Sequence, residues 1–346
     1  MAVFILGAGA TRGASFVNPT QDPCLPPLDS DFFTQLQRVR NPKHQELISQ
    51  VIADTIELFG INFQTTLETV FTTLEHTLRM IATTGENRDF KQTDLRQKRD
   101  RLLQAVAAVM EQSLTKKTAE GLGSLEVRPC KHHKKLVESI LRPRDEIISF
   151  NYDCLIDYTL KDHGDNKWNA HFGYGFQLGS HGSNLEGDEN WQPNDRCPRQ
   201  ETVKLYKLHG SLHFKVREGG KVKLKSRPYT KQIGQLKFTI IPPEYHKAYD
   251  EGVFRGLWSQ AGLAIHRANS IVLIGYSLPP ADLHSTALLR VSVKNDSLKS
   301  IVVVNPDKDA RQRARSVLQR GITSKTRILV FDQLAEFAAA DRELWD

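Results

Sequence analysis

Cysteine is scarce in this chain of 346 residues, and the four present (Cys24, Cys130, Cys154 and Cys197) stand far apart. Such spacing excludes a disulfide-stapled scaffold, and the lack of any Cys-x-x-Cys pair excludes the common zinc clips. Long apolar runs are missing as well. None approaches the roughly 18–20 residues that a membrane-spanning helix needs, so no membrane partner is expected. The apolar opening, Ala2–Leu6, is too short for a signal-peptide core and has no basic flank. Internal repeats and low-complexity tracts do not occur. These absences together predict a cytoplasmic protein with reduced thiols.

What is there fits a globular enzyme. A hydrophobic content of 39% with 25% charged residues is enough to build a core in a chain of this length. The net charge is +7, with basic clusters at Lys91–Arg101, Lys131–Lys135, Lys215–Lys231 and Arg311–Arg320. Runs of this kind form solvated helix faces or meet an anionic ligand, and any nucleic-acid contact is expected to be indirect.

The pattern along the chain predicts an α/β fold, a Rossmann-like parallel sheet with helices on both faces and an inserted helical layer. Residues 2–6 (AVFIL) read as a buried strand feeding the turn Gly7-Ala8-Gly9-Ala10. Residues 17–29, with four prolines, read as a loop, and Asp29-Ser30-Asp31 as a helix cap before FFTQLQRV. Residues 44–142 carry apolar positions at three-to-four spacing and predict four helices. Further strands are predicted at 146–150, 203–210, 237–243, 270–280, 300–307 and 326–332, with a basic helix at 309–320 between the last two. The stretch 161–200, rich in Gly, Asn, Asp and His, is predicted to be a long loop or lid. The expected organisation is a nucleotide-binding unit from 1–29 and 143–346, with 30–142 as a helical insertion.

Ligands of an open parallel sheet sit beyond the carboxyl ends of its strands. The candidate strands end in GAGAT, NYD, HGS, GYS and NPD, a set of small residues, amides, carboxylates and one histidine suited to a nucleotide. Each has a plainer reading too. Gly7-Ala8-Gly9 can be a simple tight turn, since the third glycine of the dinucleotide fingerprint is missing. Asn151 and Asp153 can cap the helix that follows, and His209 can be a structural histidine.

In order along the chain, FILGAGAT, ISFNYDCLID, KLHGS, LIGYSLPPADLH and VVVNPD resemble the sirtuin superfamily, in its silent-information-regulator-like branch. The resemblance implies that NAD is the substrate and that Asn151 and His209 are catalytic, His209 as base on the nicotinamide ribose. It implies that Gly7, Ala8, Gly9 and Thr11 line the phosphates, that Asp153 holds the carboxamide, and that Gly275, Ser277 and Asn305 meet the adenosine half. Three features depart from the deacylases of the superfamily. Residues 212–270 hold no cysteine, so the zinc ribbon is absent and no metal is expected. The GIPDFR-type stretch is missing from TRGASFVNPTQDP, and phenylalanine, not glutamine, precedes Asn151. The resemblance therefore implies an NAD+ glycohydrolase (NADase) releasing nicotinamide and ADP-ribose, of the kind used as regulated effectors in prokaryotic antiviral (anti-phage) defence. Such effectors are homo-oligomers or work with a separate trigger protein, a translocase-type ATPase or a short Argonaute, with restraint expected in 161–200 and the helical insert. A protein deacylase or ADP-ribosyltransferase, and a non-catalytic nucleotide-binding subunit, remain the alternatives.

Overall fold

Six short apolar runs pair into one parallel sheet in the computed structural model, which describes residues 1–85, 91–117, 125–176, 191, 196–216, 222–224, 240–241, 252–280 and 282–346. The strands are β1 (Ala2–Leu6), β2 (Glu146–Ser149), β3 (Lys204–Lys207), β4 (Ser270–Ile274), β5 (Ser300–Val304) and β6 (Arg327–Phe331). Their order is β6-β5-β4-β1-β2-β3, with every neighbouring pair parallel. This is the doubly wound, Rossmann-like order. It reverses direction at β1, which opens a crevice between the carboxyl ends of β1 and β4.

Both faces of the sheet are buried, which is why its strands read as continuous apolar runs rather than alternating ones. Side chains alternate between two cores. Phe4, Leu6, Ile147, Leu205, Val272 and Val302 face one core, closed by helices Leu155–His163 and Leu334–Ala339 and by the turns over 131–140. Val3, Ile5, Ile148, Tyr206, Leu273 and Val303 face the other, closed by helices Gly252–Arg267, Leu283–Ser292 and Lys308–Val317.

The predicted helical stretch forms helices Gln45–Phe59, Leu67–Thr84 and Gln92–Leu114. The first two end at Gly60 and Gly85, whose φ angles of 87° and 89° suit only glycine well. Their core runs from Cys24 to Leu114, and it also takes in Tyr152, Cys154 and Leu212. The helical layer is thus packed on the turns that follow β2 and β3. The last predicted helix differs: Lys131–Lys135 is α-helical and Leu136–Ile140 is a π-turn whose apolar side chains join the sheet's core. Asp31 does not cap the helix Phe32–Gln37 but turns back to accept the Leu28 N–H at 2.8 Å.

Two expectations change. Within 161–200, residues 161–163 complete a helix and Ala170–Gly173 form another. Trp168, Tyr174 and Trp191 are buried in the sheet's core, so these parts are anchored by aromatic packing rather than loose; residues 177–190 and 192–195, His181 included, lie outside the described residues. Of the expected strand 237–243, only 240–241 lie among the described residues, and Ile240 makes an isolated antiparallel bridge to Gly210. Two small antiparallel ribbons, Thr115–Lys117 with Leu125–Val127 and Phe214–Val216 with Val222–Leu224, had no signal in the pattern. Among the described residues, no helix is long and apolar enough to cross a membrane.

Candidate active site

The register brings the ends of β1, β2 and β4 level, because Leu6 pairs with Ser149 on one side and Ile274 on the other. The turns after these strands therefore meet. Gly7 N–H donates to the Ile274 carbonyl at 3.0 Å and Gly9 N–H to the Gly275 carbonyl at 2.8 Å. A Cβ on Gly7 would lie 2.5 Å from the Tyr276 Cα, and one on Gly9 would lie 2.7 Å from the Gly275 Cα. These glycines let two backbones touch at the crevice. Their N–H groups are engaged by β4, so the exposed residue of the turn, Ala8, is the one that faces outward.

Asn151 spans the gap between β1 and β2. Its amide nitrogen donates to the Gly7 carbonyl at 2.9 Å and to Thr11 Oγ1 at 3.2 Å. Thr11, buried, donates in turn to Asp153 Oδ2 at 2.7 Å, while Asp153 Oδ1 accepts the Leu155 N–H at 2.9 Å. Asp153 thus holds the turn just ahead of the following helix, whose N-cap is Cys154, and anchors Thr11, with both carboxylate oxygens occupied. Among the described residues, the Asn151 Oδ1 takes no hydrogen bond. It is the acceptor left for a hydroxyl or a water.

Behind this turn lies a buried polar network. Lys207 Nζ donates to the Asp153 carbonyl at 2.5 Å and pairs with Asp157 Oδ2 at 3.0 Å, both side chains fully enclosed. Burial disfavours the charged lysine, yet the carboxylates of Asp157 and Asp153 outweigh it and hold its pKa up. Asp157 Oδ1 also accepts the Tyr174 hydroxyl at 3.0 Å, and His213 reaches Tyr174 at 3.1 Å and Ser211 at 2.8 Å. The network ties the turn after β2 to the turn after β3.

His209 follows β3 in an aromatic box. The Phe150 ring lies 5.1 Å away, Tyr152 6.1 Å and Trp258 6.4 Å, and Tyr276 stacks on Phe150 at 4.5 Å. Gly210, at φ 82°, turns the chain immediately after it, and the His209 carbonyl accepts the Ile241 N–H at 2.8 Å. Asp282 Oδ2 stands 4.0 Å from His209 Nε2 and accepts the Tyr276 hydroxyl at 2.8 Å. Phe150, Trp258, Tyr276 and Asp282 did not stand out in the sequence as site residues; Tyr276 and Asp282 lie inside LIGYSLPPADLH, where an aromatic and a carboxylate beyond a strand end were the available signal.

The remaining expected residues lie on the same edge with structural bonds of their own. The Ser277 carbonyl accepts Arg313 Nε at 2.9 Å. Asn305, buried, donates to the Tyr276 carbonyl at 3.4 Å and accepts the Asp307 N–H at 3.0 Å. Asn151, Thr11, Asp153 and the three glycines come together directly. His209 joins them through Phe150, and Ser277 and Asn305 flank the turn after β4.

Chemically, the site offers an imidazole beside a carboxylate, an open amide oxygen and aromatic faces. A planar ring carrying positive charge fits such faces. Compared with known proteins, residues 145–324 match the model of the SIR2-like domain, a span of just over half the chain that takes in Asn151, His209 and the turns after β4 and β5. No curated protein matches the chain.

Proposed function

The chain belongs to the SIR2-like domain family, whose domains use NAD as substrate, and on that premise we propose that it is an NAD+ glycohydrolase. The reaction breaks the bond between the nicotinamide nitrogen and the ribose C1′, through an oxocarbenium-like state. The observation that carries the reading is the pairing, at one sheet edge, of Asn151 with an open Oδ1 and His209 inside an aromatic box. Asn151 Oδ1 would orient a ribose hydroxyl or the attacking water. His209 would take the proton that this oxygen loses, and Asp282 would stabilise the resulting imidazolium. Tyr276 and Phe150 would form a wall for the nicotinamide ring. Water is the acceptor in this reading, because the chain between 212 and 270 has no cysteine with which to build a zinc ribbon beside a peptide groove.

Uncontrolled NAD hydrolysis harms a cell, so the enzyme is proposed to be a restrained effector of antiviral defence. It would form a homo-oligomer or answer to a separate trigger protein. Support for restraint comes from the helical layer, whose core includes Tyr152, Cys154 and Leu212 beside the two catalytic turns. A shift of that layer would move both turns. The test is incubation of the purified chain with NAD, with and without an acetyl-lysine peptide. Release of nicotinamide and ADP-ribose without peptide is expected; strict peptide dependence would reassign the chain as a deacylase.

A further inference from the structure

The sheet ends at β6, whose outer edge is open among the described residues. β6 pairs with β5 alone, in unbroken register from Arg327 opposite Ser300 to Phe331 opposite Val304. The Arg327 N–H donates to the Lys299 carbonyl at 2.9 Å, and the Phe331 carbonyl accepts the Asn305 N–H at 3.0 Å. Backbone groups alternate sides along a strand, so Arg327, Leu329 and Phe331 bond inward. The N–H and C=O groups of Ile328 and Val330 therefore point away from the sheet. Their side chains are open as well, 37% and 46% exposed. With Ile301 and Val303 of β5, and Arg311 and Arg315 of the helix Lys308–Val317, they line a groove of about 270 Å³. Sheet edges are ordinarily blunted by a mid-strand charge, a proline or a bulge. Between Arg327 and Phe331 this edge carries none of them.

Charge selects the occupant. Residues 294–327, which build this edge, carry nine lysines and arginines against three aspartates. Arg313 meets Asp307 at 3.4 Å and Arg311 pairs with Asp332, but no carboxylate among the described residues pairs with Arg315 in the groove wall. A second copy of the chain would set two such basic faces together, which like charge opposes. A nucleic acid would meet the arginines but leave the apolar floor and the outward backbone groups unused. An extended peptide with carboxylates meets all three. We propose that β6 takes up an acidic, extended segment of a partner protein as an added strand. Its backbone bonds to Ile328 and Val330, alternate apolar side chains fill the groove, and a carboxylate pairs with Arg315. The edge is separated from β1 by β5 and β4, and NAD turnover plays no part in this binding or in its test.

The test combines the full-length protein, a synthetic peptide of alternating valine and glutamate, and amide hydrogen exchange followed by NMR. In the free protein the Ile328 and Val330 amides should exchange fast, while those of Arg327, Leu329 and Phe331 are protected. With peptide at about ten times its Kd, exchange at Ile328 and Val330 should slow by roughly tenfold. Arg315→Glu should weaken the peptide by roughly fivefold or more, and a valine–lysine peptide should not bind. Val330→Pro removes only an outward N–H, so binding should fall at least about tenfold with Leu329 and Phe331 still protected. If that variant does not fold, the valine–glutamate peptide methylated on its backbone nitrogens decides, since it keeps the charges and loses strand pairing. Four results would each overturn the proposal: no saturable binding of the valine–glutamate peptide up to about 1 mM, equal binding of its methylated form, protection of Ile328 and Val330 by single-stranded DNA, or their protection in the free protein through self-association.

Discussion

Glu146 opens β2 with its carboxyl inside the fold, where one oxygen accepts the Tyr206 hydroxyl at 3.1 Å and Arg267 at 3.3 Å. Its other oxygen is buried without a hydrogen bond. Burial raises its pKa, and the Tyr206 bond and the Arg267 charge offset this only in part. A carboxyl whose folded pKa lies above its unfolded one adds stability below the unfolded value, and that stability is lost as pH rises through the folded value. Glu146→Gln should therefore melt higher than wild type above pH 6, by roughly 1–3 °C, with the advantage vanishing toward pH 4. Thermal melts across that range check it, and a constant difference at every pH would contradict it. At this scale the sequence was partly legible. Asn151 and His209 stood out because polar residues beyond aliphatic strands are hard to assign to packing. The occupation of both Asp153 oxygens was not readable, since it depends on Thr11, distant in the chain and adjacent only once β1 and β2 pair.

The elements meet most tightly where the turn after β4 touches the turn after β1. Gly275 has a φ of 59°, and a Cβ there would fall 2.0 Å from the Ala10 nitrogen. Gly60, by contrast, has a φ of 87° and open space around it. Gly275→Ala should cost at least about 3 kcal/mol, from backbone strain plus overlap with backbone that cannot yield. Gly60→Ala should cost only about 1–2 kcal/mol, from the backbone alone. Urea denaturation of the two variants separates the terms, and equal losses would mean that the turns do not touch as described. The six sheet strands were legible because each is an apolar run stopped by glycine or a polar cluster. In the described parts of 161–200 the helical turns and anchoring were not legible because the local composition is that of a loop, whereas Trp168, Tyr174 and Trp191 reach a core assembled from remote strands. The short ribbons were invisible because three residues carry no usable period.

Across the whole molecule, a doubly wound sheet delivers Asn151, His209 and the paired glycine turns to one edge, and a helical layer packs over two of those turns. A parallel sheet was implied by the alternation of strands and helices, but neither its strand order nor the seat of the helical layer was. It rests on Tyr152, Cys154 and Leu212, single residues inside segments that otherwise read as site or strand. The central claim is that this edge breaks the nicotinamide–ribose bond of NAD. Its most direct test is nicotinamide release from NAD, followed by proton NMR, for wild type, Asn151→Ala and His209→Ala matched in melting temperature. The account predicts release by the wild type and a loss of a hundredfold or more in each variant, about 2.7 kcal/mol or more in transition-state stabilisation. Release that persists at the wild-type rate in both folded variants would contradict it.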